Sequence, residues 1–185
     1  MTKSEQPPIT LRQRMLEAQP AEQDSLLVRQ AGNASNAELI DLIVSPPEPT
    51  GAFVPRRLDA ILTVRGPAVV GAIAATMLEH PLTHSTRRLA SILAEIQHRH
   101  AEEAERVAKI LISTVRNALD AGADTWAVGE LLGWYLRTIE SGKASPEAAN
   151  VAEQILALAG TERDPYLLAV DRSHEVLERS QRDRG

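Results

Sequence analysis

Two segments place an acidic residue three positions before a histidine: Glu95-Ile96-Gln97-His98 and Asp171-Arg172-Ser173-His174. On a helix that spacing brings carboxylate and imidazole to one face, the geometry that metal-carboxylate helical bundles use. Five histidines and 25 acidic residues in 185 positions nevertheless make two such pairs unremarkable. No metal motif of fixed spacing accompanies them. The first pair sits where an apolar stripe ends, at Ile96, so it is expected to face solvent. His98 and His100 then read as favourable charges near a helix C-terminus. His174 is in register with Leu167, Val170 and Leu177, as a hydrogen-bonded histidine at the edge of a core would be. Neither a metal nor another cofactor is expected.

Covalent catalysis finds less support still. There is no Gly-x-Ser-x-Gly, no Gly-rich phosphate loop and no dinucleotide fingerprint. The chain has no cysteine, which removes thiolate nucleophiles, disulfides and cysteine metal sites together. Gly32-Asn33-Ala34-Ser35 reads as a helix stop followed by a cap, and Glu102-Glu103 as charge complementing a helix N-terminus. A net charge of −5 and an isoelectric point near 5.6 argue against a duplex nucleic acid partner, because such binders carry a basic face.

What remains is the chemistry of recognition. In GELLGWYLRT, Gly129 to Thr138, Tyr135 falls on the apolar stripe while Trp134 falls beside Glu130, Arg137 and Thr138. Tryptophan flanked by arginine is the pairing enriched in binding hot spots. Gly129 and Gly133, four apart, leave a bare patch where another helix can approach closely. That helix is either a partner's or the next one of the same chain.

The elements that must position these residues are helical. Hydrophobic residues make up 43% of the chain but aromatics only 3%, so the core is built from Leu, Ile, Val and Ala. At 185 residues the chain suits about one domain. The stretch GPAVVGAIAATMLEHP is uncharged from Pro67 to Leu78, too short for a membrane helix, which needs about 20 residues. Its rows Val69-Ile73-Met77 and Val70-Ala74-Leu78 follow helical spacing, with Pro67 at a first helical position and His80-Pro81 as the stop. A helix apolar nearly all round implies cover on several sides. Leu89, Ile92, Leu93 and Ile96 continue the pattern. A longer helix follows from about His100 to Ala121, with Ala104, Val107, Leu111, Val115 and Leu119 inward and Gly122 as its stop. Asp124 caps the next, whose stripe is Val128, Leu131, Leu132, Tyr135, Leu136 and Ile139. Ser145-Pro146-Glu147 starts another through Val151, Ile155 and Leu158, and Asp164-Pro165 opens a last one. Upstream, helices are placed at Thr10 to Ala18, Ala21 to Ala31, Asn36 to Val44 and Pro55 to Arg65. The expectation is all-α, roughly ten helices, with a disordered tail over 1–9, one helical domain over 10–179, a loop over 45–54 pinned by Phe53, and a frayed end over 180–185. With no apolar run in MTKSEQPP, no signal peptide is read, and the chain is expected in the cytoplasm.

Taken in pairs, these helices recur every 35 to 45 residues or so, the period of helical-hairpin repeats. PAVVGAIAATMLEHPLTHSTRRLASILAEI resembles a HEAT-type repeat, of the armadillo and α-solenoid group. It has a proline-led apolar helix, a short polar turn and an Arg-Arg-Leu-Ala second helix. Leu82-Thr83-His84 stands where such repeats carry an aspartate. The resemblance covers about residues 67–179 and implies stacked antiparallel hairpins, a short α-solenoid; an irregular α-helical bundle is the alternative. It also implies that second helices of successive pairs share a surface. Arg88, Glu95, Glu130, Trp134 and Arg137 would then line one strip that binds another protein, or a second copy of the chain. The function expected is a non-catalytic interaction module: scaffold, adaptor or regulatory subunit. The rivals are an enzyme on a HEAT-like scaffold, such as a DNA glycosylase, and a helical-bundle metalloprotein.

Overall fold

The structure, a computed structural model, describes residues 9–51, 54–80, 82, 86–121 and 125–159. Among them the chain is all-α: α1 (Leu11–Glu17), α2 (Pro20–Gln30), α3 (Asn36–Val44), α4 (Val54–Arg65), α5 (Pro67–Glu79), α6 (Arg87–Arg99), α7 (Ala104–Asp120), α8 (Thr125–Glu140) and α9 (Pro146–Ala159). The expected last helix with His174, the stops and cap at Gly122, Asp124 and Gly160, and both tails except Ile9 lie outside the described residues.

Local chemistry sets the helix ends. Thr10 and Gln13 form a reciprocal capping box at α1, and Ser35 and Glu38 form another at α3. In each, the side-chain oxygen accepts an N–H that the first helical turn cannot use. The Ser35 backbone N–H, with its hydroxyl, holds the Glu38 carboxyl below its ordinary range. Prolines open α2, α5 and α9, where a missing N–H costs nothing. At α9 the Ser145 hydroxyl also accepts from the Ala148 N–H at 3.2 Å. The α8 terminus closes with Lys143 N–H donating to the Thr138 carbonyl and Gly142 N–H to that of Ile139. This pair of hydrogen bonds requires a left-handed residue, and Gly142 supplies it with φ +69°. The helix expected from His100 begins differently. His100 is extended and ends α6, a short 3₁₀ turn spans Ala101–Glu103, and regular α7 starts only at Ala104.

Contacts divide the chain into two compact units, residues 1–62 and 63–185. In the first, α1 packs on α2 and on α3, with Leu11, Met15, Leu27, Leu39, Ile40 and Ile43 buried. The 45–51 loop is not a boundary but part of this unit. Its expected anchor, Phe53, lies outside the described residues; the buried amide of Gln23 fixes it. That amide donates to the carbonyls of Met15 and Pro49, each at 3.0 Å, and accepts the Gly51 N–H at 2.7 Å.

In the second unit α6 and α7 are central. Within it α5 packs on α6 and α7, α7 on α9, α6 on α8, and α8 on α9. Contacts therefore run between alternate helices as well as successive ones, with α5, α7 and α9 in one row and α6 and α8 in another. Most of the stripes expected from spacing are buried: Val69, Ile73 and Met77 of α5, Leu89, Ile92, Leu93 and Ile96 of α6, Val107, Leu111 and Val115 of α7, and Val151 and Ile155 of α9, whereas Leu119 and Leu158 at the helix ends are half-buried. The whole α8 stripe, Val128 to Ile139, is buried with them. Gly66, immediately before α5, takes a backbone conformation that suits glycine. Its φ is +55°, and a Cβ there would stand 2.8 Å from the His100 imidazole.

The expected enclosure of α5 fails. The apolar α5 was expected to be enclosed, yet Leu78 is 76% exposed and Ala68, Gly71 and Ala75 are also exposed. The reason is one of neighbours: within this unit, α6 and α7 pack on one side of α5 and the described residues leave the other exposed.

Candidate functional site

The strip expected across α6 and α8 can be built residue by residue. Glu130, Trp134 and Arg137 lie at i, i+4 and i+7 of α8, one helix face. Glu130 and Arg137 are exposed and Trp134 is half-buried. Arg88 and Glu95 are both half-buried on α6, seven residues apart on one face. Because α6 packs against α8, the two helices do share a surface. The pair that joins them uses Arg87: its guanidinium donates to the Glu130 carboxylate. Arg87 was absent from the expected set, although its place beside Arg88 puts it on the same outward side of α6.

The strip is largely occupied by contacts within the chain. Glu95 accepts from Arg99 at 2.7 Å along its own helix. The Trp134 ring meets Tyr135 edge-on, with centroids 5.1 Å apart and planes at 85°, a favourable aromatic geometry. A Cβ on Gly133 would lie 3.5 Å from an Arg137 guanidinium nitrogen, so the expected bare patch borders a charged side chain.

Beneath the strip lies a buried polar chain. The Tyr135 hydroxyl donates to Gln97 Oε1 at 2.6 Å, and Gln97 Nε2 donates to the Ala104 carbonyl at 2.9 Å. Burial pushes the Tyr135 phenol well above its ordinary value, which keeps it a hydrogen-bond donor. The network ties α8, α6 and the start of α7 together. Gln97, left unplaced by the sequence, is 2% exposed.

The Glu95/His98 pair does not make a ligand set. Glu95 is held by Arg99, and His98 is exposed at the end of α6. Its counterpart, Asp171/His174, lies outside the described residues. Among the described residues no three His, Asp or Glu side chains are grouped to hold an ion, and no helix is long and apolar enough to cross a membrane.

The surface that spacing did not single out is the outer side of α5. From Pro67 to Leu78 the helix carries no charge. Its one hydroxyl there, Thr76, turns back to the Ala72 carbonyl at 3.0 Å. Between α5 and α7 a groove of about 680 Å³ opens beside this face. Gly71, Ala74 and Ala75 give it a shallow apolar wall, and Leu78 and Ile110 extend it. Glu102, Glu105, Arg106 and Lys109 form the opposite, charged side. Those charges are at work within α7 and its leading turn: Lys109 meets Glu105 at 2.6 Å and Arg106 meets Glu103 at 3.2 Å. Lys109 holds the Glu105 carboxyl below its ordinary range, and the backbone N–H of Glu102 does the same for its own carboxyl. At neutral pH the rim therefore carries full charges of both signs around an apolar hollow. In the first unit, a hollow of about 590 Å³ between α1 and α2 is lined by Arg14, Glu17, Glu22 and Arg29 with small residues between them. It lacks a comparable uncharged helix face.

The signal for the α5 surface was present in its second row. Val70 is buried, Ala74 half-buried and Leu78 exposed, so the row winds out of the core along the helix. Compared with known proteins, the chain matches no family model, no curated protein and no solved structure.

Proposed function

We propose that this chain is a non-catalytic protein-interaction module whose main contact surface is the outer side of α5 with the α5–α7 groove. The observation that supports it is an uncharged helix face bearing a leucine 76% exposed beside an apolar hollow rimmed by paired charges. Contiguous apolar surface with a polar rim is the composition of protein contact sites. The arrangement suits an incoming helix, since small residues at Gly71, Ala74 and Ala75 let a second backbone approach closely.

The α6–α8 strip, with Arg88, Glu95, Glu130, Trp134 and Arg137, forms a secondary contact at most. Glu95, Glu130 and Trp134 already make contacts within the chain, and a partner must replace them. The two-row packing of α5 to α9 favours the HEAT-like, stacked-hairpin reading, in which an end helix keeps one face free. Scaffold, adaptor or regulatory roles all use such a face. The rival readings, an enzyme of the DNA glycosylase kind or a metalloprotein, call for a cleft with convergent acidic groups; the carboxylates at the two described hollows, Glu102 and Glu105 in one and Glu17 and Glu22 in the other, lie on the surface among basic side chains.

Pull-down from native lysate with wild type, Leu78→Asp and a Trp134→Ala/Arg137→Ala double variant tests the reading. Loss of specific captures with Leu78→Asp and their retention with the double variant is expected. The same captures from all three would overturn it.

A further inference from the structure

We draw no further inference here: the strongest candidate, the uncharged outer face of α5 with exposed Leu78 beside the α5–α7 groove, belongs to the surface already described, and nothing in the structure shows what covers it.

Discussion

The outer faces of α8 and α5 belong to the same unit and differ in how their side chains are employed. On α8, Glu130 reaches Arg87 of the neighbouring helix, Trp134 rests edge-on against Tyr135, and the Arg137 guanidinium lies by Gly133. On α5, Ala68, Gly71, Ala75 and Leu78 face outward with no charge among them, and the first exposed charge is Glu79 at the end of the helix. Residue types alone favour α8, because tryptophan and arginine head the list of hot-spot residues. Placement reverses the order. A side chain already bonded within its own fold offers a partner little net gain, whereas exposed apolar surface gains about 25 cal/mol for each Å² covered.

Four measurements would break or sharpen that contrast. The largest effect is expected beneath α8. Gln97→Leu strips the partner from both the Tyr135 hydroxyl and the Ala104 carbonyl in a buried setting. It should destabilise the fold by about 2–4 kcal/mol, read from the urea midpoint. A loss under 0.5 kcal/mol would mean the network does not hold α8 to α6. Next is Leu78→Asp, which should remove at least about 2 kcal/mol of association, the hot-spot threshold, while leaving the melting temperature unchanged. If melting falls instead, Leu78 belongs to the core and the two faces do not differ.

Alkaline stability comes third. Burial raises the Tyr135 phenol in the folded chain, while an unfolded tyrosine titrates near 10. A raised group contributes fully below the unfolded value, and that contribution is lost as pH rises beyond it. Wild type should therefore lose about 1.4 kcal/mol on going from pH 9 to 11 through this group, and Tyr135→Phe should lose correspondingly less. Equal losses would show that the phenol is solvated and the inner side of α8 open. The smallest effect belongs to Trp134→Ala. Removing a half-buried ring and its edge-on contact should cost about 1 kcal/mol of stability, with association unchanged within twofold. A large loss of association would return the interface to α8.

Much of this fold was legible in single residues. Ser35 with Glu38 announced α3 at both its start and its register, and Pro67 fixed the first residue of α5. The α8 stripe from Val128 to Ile139 is buried throughout because a 3.6-residue period leaves only one face for it. The failures share a cause: which side of an element has a neighbour is a tertiary fact. Gln97 went unremarked in the sequence, yet it is buried because Tyr135 and the Ala104 carbonyl give its amide both partners it needs. Gln23 pins the 45–51 loop in the same way, across 26 and 28 residues of sequence. Leu78 shows the converse. An apolar residue in an uncharged helix reads as core, and only the arrangement of α6 and α7 leaves it facing out. Trp134 drew notice for its type, while Arg87, one position from the chosen Arg88, makes the bond to Glu130.

The most direct test is capture from native lysate by wild type, Leu78→Asp and Trp134→Ala, side by side. Wild type and Trp134→Ala should hold the same specific proteins while Leu78→Asp loses them. Equal capture by all three, or a loss with Trp134→Ala and not with Leu78→Asp, would contradict the assignment of α5 as the face through which this chain associates.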